Sequence, residues 1–130
     1  MAVRGLVRLS LGLAAGATLM ACTSPPRSEP FGIYGQDWNQ DLALLVGRLE
    51  LRDGCLVVRV AEDVVALGFG REGTSWDAAR GEVHIDNQSF RVGEVIRFGG
   101  GSPGPANEVD WLEPPPESCA GLPVFFVRRP

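Results

Sequence analysis

The sequence predicts a small all-β domain, an antiparallel, partly open barrel or a sandwich of about five to seven strands. Three observations predict it. Apolar runs are short, and Gly, Pro, Asn and Asp clusters separate them at close spacing. The pattern leaves room for almost no helix. Residues 48–60 read as a β-hairpin whose two-residue loop is Asp53-Gly54.

The hairpin fixes the frame. Asp and Gly both tolerate the positive φ of a type I′ turn, and that turn matches the twist of paired strands. Counting outward, Arg52 faces Cys55, Leu51 faces Leu56, Glu50 faces Val57, Leu49 faces Val58 and Arg48 faces Arg59. Opposed residues share a face, so Leu49, Leu51, Leu56, Val58 and Val60 form one apolar stripe. Arg48, Glu50, Arg52 and Arg59 lie on the other face, with Cys55 among them. A slip of one residue would bury the charges, so this register is held firmly.

The remaining elements follow in order. Residues 31–39, with Phe31, Tyr34 and Trp38, form an edge strand or an ordered lead-in. Residues 41–51 make the first long strand, with a bulge or bend at Gly47. A helix over 41–46, ended by Gly47, is the competing reading. Strand two covers 55–60, Ala61-Glu62-Asp63 turns the chain, and strand three covers 64–69. Residues 71–81 connect, with room for one helical turn capped by Thr74 or Ser75. Residues 82–86 form a strand with Val83 and Ile85 inward and His84 outward. Asn87-Gln88 turns it, and 89–92 return with Phe90 and Val92 inward. Gly93-Glu94 turns into a strand over 95–98. The Gly/Pro-rich stretch 99–105 is expected to end regular structure. Residues 107–118 are a long loop with Trp111 and the rigid Pro114-Pro115-Pro116 run, and 124–127 close the chain as a strand.

Residues 1–21 carry the pattern of a secretory signal. Arg4 and Arg8 give a positive start, and 9–20 form an apolar stretch shorter than the about 20 residues a membrane-spanning helix needs. It ends in Leu19-Met20-Ala21-Cys22, which resembles the lipobox of bacterial lipoproteins, although Met20 departs from the residues usual at that position. The resemblance implies cleavage before Cys22 and acylation of its sulfur and amino group, palmitate being one such chain. The domain would then be anchored to the cell membrane or outer membrane, facing the periplasm or exterior. Each buried methylene contributes about 0.8 kcal/mol, so two or more chains hold firmly. Thr23, where Asp is absent, resembles outer-membrane sorting in diderm bacteria. Residues 22–30 are then a lipidated, extended tether, and 31–130 a single β domain.

The mature chain carries ten arginines against sixteen acidic residues, a net charge of −6. That balance argues against nucleic acid or an anionic membrane surface as partner. With Cys22 lipidated, Cys55 and Cys119 remain as an even pair in an oxidising compartment and are expected to form a disulfide. A redox or metal-binding thiol pair would want C-x-x-C spacing, which they lack. Five to seven strands in about 100 residues is similar to the OB-fold, a Greek-key barrel. The body also resembles small β domains of bacterial lipoproteins at Gly47-x-Leu49, Asp53-Gly54-Cys55-Leu56, Val92-Gly93-Glu94, Gly99-Gly100-Gly101 and Cys119. That resemblance implies the fold and the disulfide and brings no activity with it.

Gly68-Phe69-Gly70-Arg71-Glu72-Gly73 matches G-x-G-x-x-G, but a dinucleotide site needs a long helix next, and Gly81 comes too soon. The motif reads as a Gly-rich strand exit. His84 is the single histidine, too few for a multi-His zinc site and poorly placed for a catalytic base, so no metal and no cofactor are expected. Glu62-Asp63 and the Asp110/Glu113 pair read as solvated loop faces. Gly99-Gly100-Gly101 reads as a place where chains pass closely rather than an anion cradle. Trp38, Trp76 and Trp111 are placed in turns or loops, where they plug the barrel ends or contact a sugar or protein. The expectation is a cell-envelope lipoprotein acting as a non-catalytic interaction or structural module, with an envelope protein or glycan as partner. The alternative is a small-ligand or glycan-binding module using Trp76 and Trp111. Mass spectrometry of the membrane-extracted protein should find Cys22 at the N-terminus bearing acyl chains, and Cys22→Ser should leave the unprocessed precursor.

Overall fold

The computed structural model describes residue 12, residues 29–35 and residues 43–129. The expected signal apart from residue 12, the lipobox-like stretch with Cys22, most of the expected tether and Trp38 lie outside the described residues. Among the described residues ten strands follow in order: β1 (Gly32–Tyr34), β2 (Ala43–Arg52), β3 (Cys55–Val60), β4 (Asp63–Gly70), β5 (Thr74–Asp77), β6 (Glu82–Ile85), β7 (Gln88–Arg91), β8 (Val95–Pro105), β9 (Trp111–Glu113) and β10 (Pro123–Val127).

The Asp53-Gly54 turn has φ of 50° and 82°, the type I′ signature. The β2–β3 register runs from Arg48↔Arg59 to Arg52↔Cys55, the pairing that the turn dictates. Leu49, Leu56 and Val58 are fully buried, whereas Leu51 and Val60 overhang the barrel and are 48% and 38% exposed. The opposite face is not the polar one expected. Cys55 and Val57 on it are buried, because residues 106–122 cross that side of β3.

Barrel closure comes from five strands. β2 pairs with β3, β3 with β4, β4 with β10, β10 with β8, and β8 returns to β2. All these pairings are antiparallel except β4–β10. This is a closed Greek-key barrel of the OB type. At Gly47 the ladder runs on without a bulge, and the glycine admits a close approach instead, since a Cβ there would overlap the Arg59 carbonyl oxygen. Gly99 to Pro105 does not end regular structure. β8 runs through all seven residues and pairs with β10. A Cβ on Gly100 would overlap the Phe126 carbonyl oxygen, so the glycine permits the close approach that completes the ring.

The 71–81 connection holds β5 rather than a helical turn. β5, β6 and β7 form an antiparallel three-stranded sheet, and its second turn uses Asp86 at φ 54°, one residue earlier than the sequence suggested. Alternation places Trp76, Val83, Ile85, Phe90 and Val92 toward the barrel core, and that period of two outweighs the weak helix preference of Ala78-Ala79. The barrel interior holds Leu45, Leu49, Val58, Leu67, Phe69, Phe98 and Phe125, with Phe31 edge-on to Phe69 at 4.7 Å. A second apolar cluster lies outside the ring, on β3, β4 and β10.

Cys55 and Cys119 form a disulfide with a Cα–Cα distance of 5.4 Å across 64 residues. It fastens the outer segment to the start of β3. Closing a loop of this length constrains the unfolded chain by about 4 kcal/mol. Urea unfolding of the Cys55→Ala/Cys119→Ala double variant should therefore show a stability loss of roughly that size.

Candidate functional site

Residues 106–122 build the site. The segment starts in a 3-10 turn at Ala106–Glu108, continues as β9, and ends in a 3-10 turn at Glu117–Cys119. Its two ends are drawn together where the Ala106 N–H donates to the Leu122 carbonyl at 2.8 Å, and the disulfide pins it near the second turn. Its middle is held by β9, which pairs antiparallel with β1. β1 in turn lies parallel to β4, with Gly32 opposite Gly68.

That glycine pair is the seat of Trp111. A Cβ on Gly68 would stand 2.8 Å from both the Trp111 and Phe126 rings, and one on Gly32 would stand 2.5 Å from Trp111. With neither present, the indole settles onto backbone. Its Nε1 donates to the Ala106 carbonyl at 2.8 Å, and its ring meets Phe126 edge-on at 5.5 Å. Tyr34 packs on the same Phe126 at 4.5 Å, and its hydroxyl donates to the Val127 carbonyl at 2.7 Å.

Beside this aromatic group lies an open cleft of about 500 Å³. Tyr34, Trp111, Phe126 and Leu112 supply apolar walls, Glu108 and Asp110 the polar side chains, and Gly35, Pro103 and Val109 complete the lining. Leu112 is 48% exposed, and both carboxylates are exposed.

The two candidate tryptophans are therefore not one surface. Trp111 lines the cleft from β9 and Trp76 sits in β5, so neither is in a loop. Trp76 pairs with Val83 across the small sheet, packs against the interior cluster and does not line the cleft. Asp110 is brought to Glu108 in the lining rather than to Glu113. Tyr34, Phe126 and Glu108 were missed by sequence reasoning. No local spacing marks them, because they meet only through the β1–β9 and β4–β10 pairings.

His84 belongs to a different group. Its Nδ1 lies 2.7 Å from Ser89 Oγ and its Nε2 3.8 Å from Glu82 Oε2. Asp77, Glu82 and His84 bring ligand-type atoms within 4.8 Å of one another. Glu82, however, already receives Arg91 at 2.8 and 3.2 Å, and Arg80 stands 3.8 Å from Asp77. This is a cross-strand ion-pair network on the outer face of the small sheet. The Gly68–Gly73 motif lies at the exit of β4 and leads into β5, the expected Gly-rich strand exit.

Fold and cleft together define a closed all-β Greek-key barrel with an aromatic and acidic recess on its outer wall. No family model, curated protein or solved structure matches the chain. Replacing Gly68 by Ala should lift Trp111 from its seat. The expected outcome is a destabilisation of about 1–3 kcal/mol in urea, the range for overpacking, with a red shift of Trp emission.

Proposed function

We propose that this protein is a non-catalytic binding module of the cell envelope, tethered by lipid on Cys22, with the Trp111 cleft as its contact site. The lipobox resemblance of Leu19-Met20-Ala21-Cys22 supports the location. The cleft supports the role: it is large enough for a small ligand or one side chain of a partner, and its walls are preformed. Trp111 and Tyr34 are each fixed by a hydrogen bond to backbone, so little ordering is left for a ligand to impose. The lining offers aromatic walls and two exposed carboxylates, surfaces on which a ligand or a partner side chain can rest.

The observation that carries this reading is the recess itself, walled by Trp111 and held open by the disulfide-pinned segment. Its test is a Trp-emission titration of the detergent-solubilised protein against envelope glycan fragments, short peptides and amines. At least one class should give a saturable change. The Leu112→Arg variant, which fills the mouth of the recess from an exposed position, should weaken that response about tenfold or more without lowering the melting temperature. Unchanged emission across the panel would overturn the proposal.

A further inference from the structure

We infer that the cleft takes an organic cation, an alkylammonium or guanidinium group, either free or carried on a basic side chain. The inference rests on the reading of the cleft as a binding site and adds the chemistry of its ligand. The argument is one of donors and acceptors. The two side-chain donors in the aromatic wall are already used, Trp111 Nε1 on the Ala106 carbonyl and the Tyr34 hydroxyl on the Val127 carbonyl. Among the described lining residues, the charged side chains are the carboxylates of Glu108 and Asp110, which only accept. Neither is in an ion pair with a described residue.

Each ligand class then meets a different fate. An anion would face two carboxylates with no side-chain donor among the described lining residues to offset them. A saccharide could donate its hydroxyls to the carboxylates, but their lone pairs would find no side-chain donor in the walls among the described residues. A cation needs what is present: acceptors at the mouth, and the electron-rich, half-buried indole of Trp111 in the wall beside them. The chain also carries a net charge of −4, so its long-range field draws cations rather than repelling them.

The test uses the detergent-solubilised full protein and pairs of probes. Choline is compared with its neutral isostere 3,3-dimethyl-1-butanol, and argininamide with the tripeptide Gly-Arg-Gly and with neutral disaccharides. Binding is read by Trp emission and by the Trp111 indole signal in NMR. Choline and argininamide should saturate the site, and the neutral isostere should bind at least tenfold more weakly. Raising the salt should weaken the cations, and the Glu108→Gln/Asp110→Asn variant should lose at least tenfold. Both substitutions are at exposed positions, so an unchanged melting temperature separates lost recognition from lost fold. A tripeptide tenfold tighter than argininamide assigns the cation to a peptide, whereas equal affinities assign it to a free amine. Equal binding of the neutral isostere, or an unaffected double variant, overturns the inference. Salt-independent saccharide binding at Trp111 overturns the cation while leaving the cleft a binding site. Silence from every probe overturns both.

Discussion

Strand β4 shares one edge between two partners, and the rest of the architecture depends on how that edge is divided. Its middle, Ala66 to Gly68, pairs in parallel with β10 and closes the barrel. Its end, Gly68 to Gly70, pairs in parallel with β1. Gly68 is the point of handover, opposite Phe126 in one ladder and Gly32 in the other. Any side chain there would collide with the Phe126 and Trp111 rings. One glycine thus sits where barrel closure, attachment of the edge strand and the seating of Trp111 meet. Its missing Cβ is a packing requirement of all three.

The second constraint is on the outer wall. In an OB-type barrel the outward face of the second and third ring strands, with the loops beside it, is the common ligand surface. Here those strands are β3 and β4, and their outward residues Cys55, Val57, Val64 and Ala66 are buried beneath the chain's own 106–122 segment. That segment has only three strand residues and three prolines in a row, so it makes few ladder hydrogen bonds of its own. The disulfide and the apolar cluster under it supply what regular structure does not. The face is therefore filled from within, and the recess that remains lies at the margin, where β1 and β9 meet β10.

These constraints explain which parts of the fold were legible. The Asp53-Gly54 hairpin was readable to the residue because its turn chemistry and its pairing are local. The outward burial of Cys55 and Val57 was less so, although Cys55-Leu56-Val57-Val58 is a continuous apolar run, the pattern of a strand covered on both faces. The Gly99–Pro105 stretch was misread because composition alone marks glycine and proline as breakers. Whether a glycine breaks a strand or lets two strands close up depends on what passes beside it, here the Phe126 carbonyl. The cleft was the least legible feature. Tyr34, Trp111 and Phe126 come from three separate parts of the chain, and only the tryptophan stands out in the sequence.

Charge alone would not single out this recess. On an acidic chain, Glu62 and Asp63 are as exposed as Glu108 and Asp110. On the strands some carboxylates are matched by arginine, as in Glu50–Arg59 and Glu82–Arg91. What separates Glu108 and Asp110 is their setting beside aromatic walls whose own donors are committed to backbone. An exposed ion pair contributes little in water, because both partners remain well solvated. An aromatic wall changes that balance by removing water from one side of the bound group while still attracting its charge. Rigid walls matter as well, since a site already ordered loses little entropy on binding. The features that fix Trp111, a glycine seat, a backbone hydrogen bond and a disulfide-pinned segment, are thus the same ones that would let a small recess with only two carboxylates hold a ligand.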